Sequence, residues 1–399
     1  MSSIKPDSRL APALRTCDIK AFRVMTVLER ARTLETQGRS IVHLEVGEPD
    51  FVTAAPIVEA GRAALSSGET SYCPAAGLPA LRDKIAEHYH VQHGLSIDPK
   101  RIIVTPGASG ALNLVAQMML NPGDGVLMSD PGYPCNRNFV RLAGGQAQLV
   151  PVDASCNYQI TIPLLERWAQ SSSKALWLAS PANPSGTMLD KTTLSDLNAW
   201  CSARGMHILV DEIYHGLTYG CDAQSALSVS NDIIVVNSFS KYFGMTGWRL
   251  GWLVVPESLV EVANILAQNL FISASTIAQH AALRAFDDDT IEIFEQRRSE
   301  FLRRRDFLTA VLKELGFSIG VQTQGAFYIY AGIERFSQDS EHFCVRLLED
   351  YGVAVTPGTD FGEYKSDTHV RFAFTTSMDQ LELAAQRLRQ AVNSPEFLR

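Results

Sequence analysis

Between residues 41 and 255, short apolar blocks recur, and longer amphipathic stretches separate them. Blocks at 41–45, 101–105, 125–130, 174–180, 207–210 and 233–236 are bounded by polar, Gly or Pro residues, which predicts strands. Helical stretches fall at 78–93, from the 106–110 turn through Leu120, and at 192–204. Such alternation predicts a mostly parallel sheet with helices on both sides. Ahead of it, residues 18–37 read as an amphipathic helix. Ile19, Phe22, Met25, Leu28, Ala31 and Leu34 recur at three-residue steps, and Gly38 supplies the C-terminal stop.

The order changes after residue 275. Residues 276–315 read as one long helix, with Arg297, Arg298, Arg303, Arg304 and Arg305 among acids on a solvated face. Short strands follow at 317–319, 327–330, 353–356 and 369–374, with a helix at 340–351. The last helix starts at Ser377, with Gln380 completing a capping box. The expectation is a second, smaller α+β domain, completed by the N-terminal helix. No repeat of 20–50 residues and no low-complexity linker interrupts the chain.

Composition narrows the partners. A chain of 399 residues suits about two domains, and 46% hydrophobic with 20% charged residues is ordinary for a globular protein. The formal net charge of −8, without a basic block, argues against nucleic acid as the main partner. The first residues lack the apolar core of a secretory signal, and no apolar run approaches the ~18 residues of a membrane span. Seven cysteines never fall as C-x-x-C, which suits reduced thiols in a cytoplasmic protein. Of His88, His90 and His93, only the last two share a helix face. They are expected on the surface, and no metal site is expected.

The chemistry gathers at the ends of the predicted strands, where open α/β sheets place ligands. Lys241 follows the 233–236 strand within Ser238-Phe239-Ser240-Lys241. A desolvated lysine amine loses its proton and forms a Schiff base with an aldehyde. Ser238, Ser240 and Arg249 beside it suit a phosphate. Strand, small-residue turn (106–110) and helix start form a second anion site around Ala108 and Ser109. The turn is neither G-x-G-x-x-G nor G-x-S-x-G, since Ala111 holds the last position, so neither a dinucleotide site nor a hydrolase elbow is supported. Arg371 lies in a strand between apolar neighbours and needs a negative partner.

Ser-x-Ser-Lys followed by Gly247-Trp248-Arg249-Leu250-Gly251 resembles the lysine motif of class I pyridoxal-phosphate-dependent aminotransferases, of the aspartate and alanine aminotransferase kind. The resemblance covers nearly the whole chain. It implies the α/β fold type I architecture: a large domain with a mostly parallel seven-stranded sheet flanked by helices, plus a smaller α+β domain. The expected limits are 1–46 for the N-terminal segment, 47–290 for the large domain and 291–399 for the small one.

It also implies the site. Ala108, Ser109, Ser238, Ser240 and Arg249 hold the cofactor phosphate, Tyr133 stacks on the ring, and Asp211 pairs with the ring nitrogen. Asn183 and Tyr214 meet the phenolic oxygen. Arg371 grips the substrate carboxylate, with Asn183 and the backbone of Gly47 (in Val46-Gly47-Glu48-Pro49-Asp50-Phe51) beside it. Tyr72, in Tyr-Cys-Pro-Ala-Ala-Gly, reaches the neighbouring subunit's cofactor in a homodimer.

The implied reaction is ping-pong transfer of an amino group from an L-amino acid to a 2-oxo acid. Lys241 carries the cofactor and then moves the α-proton, and Asp211 stabilises the electron sink. One alternative is a β-eliminating carbon–sulfur lyase on the same cofactor, which needs no acceptor. Another is a cofactor-sensing regulator, which would add a basic helix-turn-helix where about forty residues precede the first strand here. Aspartate or alanine with 2-oxoglutarate is the expected substrate pair. Ile19, Phe22 and Phe271 could equally line a pocket for a small or aromatic side chain, and the arginines outside the motifs are not placed by sequence.

Overall fold

The computed structural model describes residues 12–397. Residues 1–11, on which the reading of the leader rests, and the last two residues lie outside this range. Twelve strands occur in the described chain. They are β1 (Val42–His43), β2 (Ile102–Thr105), β3 (Gly125–Asp130), β4 (Gln146–Pro151), β5 (Ser173–Ala179) and β6 (His207–Asp211). Then come β7 (Ile234–Ser238), β8 (Gly251–Val254), β9 (Tyr328–Gly332), β10 (Val353–Ala354), β11 (Thr356–Pro357) and β12 (His369–Ala373).

The large sheet has seven strands in the order β2-β8-β7-β6-β5-β3-β4. β8 pairs antiparallel with both neighbours, and the other pairings are parallel. The inner parallel strands β3, β5, β6 and β7 are mostly buried, because helices cover both faces and leave no solvent side for alternation, whereas the edge strand β4 alternates. Their C-terminal ends share one edge, where the first residue of β8, Gly251, pairs with Thr105 and Ser238.

A second sheet, β11-β12-β9, is antiparallel. β1 pairs with β10 in parallel, which ties the N-terminal segment to this smaller unit. The block 353–356 is therefore not one strand. Its first half joins β1 and its second half joins β12, with Val355 between. Residues 317–319 form only a bridge, Ser318 to Gly332.

The N-terminal helix is shorter than its pattern suggests. It spans Arg23–Thr36, so Ile19 and Phe22 precede it, and it buries Val24, Ala31 and Leu34. Three-residue steps advance only about 300° of a turn, so such a series walks off one face. Met25 accordingly remains 55% exposed.

The stretch 276–315 is two helices, Thr276–Ala282 and Asp288–Leu315, joined by a 3-10 turn. Asp287, Asp288 and Asp289 favour a new helix N-terminus there, and Arg284 pairs with the first and third of them. The arginine run is not all solvated. Arg304 and Arg305 are buried, and Arg304 bonds Asp50 at 2.8 Å and Glu300 at 2.9 Å. His88 and His93 are also not surface residues. His88 packs 5.8 Å from Phe243, His93 lies 5.7 Å from His215, and only His90 is exposed. Leu81, Ile85 and Tyr89 form the buried face of helix Pro79–His93, and His88 packs beside them against Phe243 and Phe286.

Candidate active site

The lysine loop runs from the end of β7 into β8. Phe239 is fully buried beneath it, 4.9 Å from Trp252 and 5.1 Å from Phe243. The Ser240 amide donates to Ser238 Oγ at 3.0 Å. This packed turn presents Lys241 to a cavity of about 380 Å³ at the C-terminal edge of the sheet. Lys241 Nζ donates to the Gly47 carbonyl at 2.7 Å. Burial, reinforced by the Arg371 charge, lowers this amine from its ordinary value to about 8.

Asp211 ends β6 in the same cavity and is 4% exposed. Its Oδ1 accepts the Ile213 amide at 3.1 Å. Burial pushes this carboxyl up to about 7, against the pull of the Ile213 amide and the Lys241 charge. A buried carboxyl so raised is complementary to a cationic ring N–H. Tyr214 Oη shares a 2.9 Å hydrogen bond with Tyr328 Oη, and Tyr133 lines the cavity with Phe22 edge-on at 6.3 Å.

At one end stands an anion cradle. Helix Gly107–Met119 begins there, with Ala108 and Ser109 in its first turn, where amides lack intrahelical partners. Gly107 has φ +73°, and a Cβ on it would lie 2.5 Å from Arg249 Nη2. Only glycine lets the guanidinium come so close. Arg249 itself sits at φ 54°, with Nη1 donating to the Thr246 carbonyl at 3.0 Å.

At the other end lies Arg371, on β12 and 2% exposed. Its Nη1 donates to Asn183 Oδ1 at 3.0 Å and its Nη2 to the Glu45 carbonyl. The guanidinium lies 4.1 Å over the Tyr328 ring and 4.8 Å from Phe361. Arg371 Nε is buried without a partner. Beneath this clamp, Glu45 takes a 2.7 Å hydrogen bond from His43 Nδ1, which raises the imidazole to about 9.

The cavity thus gathers Gly47, Ala108, Ser109, Tyr133, Asn183 and Asp211. It also gathers Tyr214, Ser238, Ser240, Lys241, Arg249 and Arg371. Tyr72 does not line it and is 81% exposed. Sequence reasoning missed Tyr328, Glu48 and Thr246 as cavity residues. Tyr328 left a faint signal as a phenol in an otherwise apolar strand, since a buried hydroxyl needs a partner. Of Ile19, Phe22 and Phe271, Phe22 alone is among the lining residues. An amine of lowered pKa, an N–H-rich anion cradle and a buried carboxyl fit the aldehyde, phosphate and ring nitrogen of pyridoxal phosphate.

The family profile of aminotransferase class I and II matches residues 39–388. The chain belongs to this family. The valine–pyruvate aminotransferase of Mycobacterium tuberculosis is 36% identical over 373 residues, 93% of this chain and 96% of that protein. The (5-formylfuran-3-yl)methyl phosphate transaminase of Methanocaldococcus jannaschii is 35% identical over 382 residues, 95% of this chain and 99% of that protein. Among solved structures, an aspartate aminotransferase from Thermus thermophilus with maleate superposes with a TM-score of 0.90 at 34% identity, covering 96% of this chain and 99% of that one. This aminotransferase has the fold type I architecture and uses pyridoxal phosphate to move an amino group from an amino acid to a 2-oxo acid.

Proposed function

We propose that Lys241 would hold the cofactor aldehyde and, with the substrate amine in its place, would carry the α-proton on Nζ. The observation that carries this reading is the lowered Lys241 amine in one cavity with Asp211 and Arg371. An amine near 8 exchanges protons readily at neutral pH. The cofactor, when bound, supplies an electron sink. Asp211 would hold its ring nitrogen protonated, and Tyr214 and Asn183 would meet its phenolic oxygen. Ala108, Ser109, Ser238, Ser240 and Arg249 would hold its phosphate, and Tyr133 would cover its ring. Arg371, with Asn183 and the Gly47 backbone, would orient the substrate α-carboxylate.

The relatives are named for different donors, valine in one and aspartate in others, so they leave the donor of this chain open. The test is 2-oxo acid formation with and without an acceptor 2-oxo acid. Dependence on the acceptor, with no ammonia released, is the expected result; sustained ammonia release without acceptor would make the protein a lyase.

We further propose a homodimer in which Tyr72 serves the neighbouring site. Its 81% exposure and absence from its own cavity support this. Mixing Tyr72→Ala and Lys241→Ala subunits should then recover activity that neither parent has, and no recovery would refute the shared site. The limits 1–46, 47–290 and 291–399 are proposed for the N-terminal segment and the two domains, and pairing of β1 with β10 supports the first. A cytoplasmic location is proposed from the seven unpaired cysteines; no helix among the described residues is long and apolar enough to cross a membrane.

A further inference from the structure

Given the amino-transfer reading above, the charges lining the cavity bear on which class of amino acid it fits. Among the described residues that line it, the cations are Lys241, Arg249 and Arg371. All three are already engaged. Lys241 meets the aldehyde, Arg249 completes the anion cradle beside Gly107, and Arg371 forms the carboxylate clamp with Asn183. No described lining cation remains for a second substrate carboxylate.

The wall left over is apolar. Phe22, Val24 and Met25 come from the N-terminal segment, and Phe22 leans on Tyr133. This segment is pinned by the Arg23 amide, which donates to Asp360 Oδ1 at 2.8 Å. Its nearest guanidinium, Arg23, is turned to Glu341 at 2.8 Å. Arg137, on the neighbouring helix, donates to the Asp360 carbonyl at 3.1 Å. The remaining charge on the wall is negative: Glu48, held by the Thr246 hydroxyl at 2.6 Å.

We propose that this enzyme takes amino acids with apolar or aromatic side chains and rejects dicarboxylic ones, with Phe22 forming the apolar contact and Glu48 repelling a distal carboxylate. A second carboxylate would lose water without gaining a cation and would face a like charge. Leucine, similar in branching to aspartate, would instead bury its methyl groups against Phe22 and Met25. Of the two donors expected from the sequence, aspartate and alanine, only the apolar one is kept.

The test uses the cofactor-loaded protein in single half-reactions, followed by the change in cofactor absorbance on mixing with one amino donor. Leucine and phenylalanine should exceed aspartate and glutamate by about 100-fold or more in second-order rate constant. Titration calorimetry with unreactive acids adds a readout without turnover: 4-methylpentanoate should bind more tightly than succinate. Phe22→Ala should slow phenylalanine by about 10-fold or more relative to alanine. Glu48→Gln should raise the aspartate-to-leucine ratio.

Equal or faster reaction with aspartate would overturn the proposal, with a cation from the partner subunit as the explanation, and would leave amino transfer intact. Equal losses for phenylalanine and alanine in Phe22→Ala, or an unchanged ratio in Glu48→Gln, would remove the role given to that residue. Failure of every donor to alter the absorbance would instead overturn the amino-transfer reading itself.

Discussion

Lys241 and Gly47, 194 positions apart in the chain, are joined by a 2.7 Å hydrogen bond from Nζ to the glycine carbonyl. Glu45, two residues earlier, accepts from Arg371 Nη2. One short segment of chain therefore meets both the Lys241 amine and the Arg371 guanidinium.

Replacing Lys241 by Ala should abolish borohydride fixation of a pyridoxyl group and cut turnover by about a thousandfold or more. Peptide mass mapping of the reduced wild-type protein should find the label at residue 241. A label on another lysine would move the active site elsewhere.

Gly47 has no room for a side chain. A Cβ there would overlap Tyr328 Oη, which is hydrogen-bonded to Tyr214 Oη. Gly47→Ala should lower stability by about 1–3 kcal/mol and reduce activity, because the phenol must leave its partner. Tyr328→Phe in the same chain should recover part of the loss in thermal denaturation. No recovery in the double variant would show that the strain falls on something else.

Arg371→Lys keeps the charge but loses the planar fork that bonds Asn183 and the Glu45 carbonyl. The expected outcome is a rise in KM for the amino donor, with kcat/KM down about 10- to 100-fold. Cofactor absorbance should be unchanged. A variant with normal KM would mean that the carboxylate binds elsewhere.

His43 gives a pH dependence with a definite sign. The Glu45 hydrogen bond raises it from 6.5 to about 9, so the charged form is favoured by folding. Its stabilising contribution is whole below about pH 6.5 and fades as the pH rises towards 9. Comparing wild type with His43→Gln by thermal denaturation should show the stability difference shrinking across that window. A difference that grew with pH would contradict the assignment.

Arg304 tests a buried member of the charge run. Its guanidinium bonds Asp50, Glu300 and the Thr375 carbonyl, bracing the segment after Gly47. Arg304→Ala should cost about 1–3 kcal/mol, because the carbonyl loses a charged donor while the two acids stay partly hydrated. Arg303→Ala, on an exposed side chain, should change stability by less than about 0.5 kcal/mol. Equal effects would mean that Arg304 is solvated in solution.

Much of the molecule was legible before any fold was known. Apolar blocks marked the inner parallel strands β3, β5, β6 and β7, because a strand covered on both faces has no polar side to show; the half-exposed edge strand β4 was missed. Lys241, Asp211, Asn183 and Ala108 stood at or just beyond strand ends, and the edge of an open sheet is where ligands reach the chain. The cofactor roles expected of Asp211, Asn183 and Ala108 came from the family resemblance, whereas the lysine amine stood out by its place after a strand.

What local pattern could not carry was adjacency between distant segments. Tyr328 reaches Arg371 only through the β9–β12 register, which pairs Arg371 with Tyr330 and leaves Tyr328 a diagonal neighbour. The burial of Arg304 and His88 depends on which element packs over each, not on their helical spacing. Phe22 belongs to no helix face, yet docking of the N-terminal segment brings it to Tyr133. Sequence alone singled out most of the polar residues that the cavity gathers, since a side-chain type at a strand's end is a property of a residue and its immediate chain. Tertiary structure decided what surrounds them, since packing joins surfaces whose separation along the chain carries no trace of their contact.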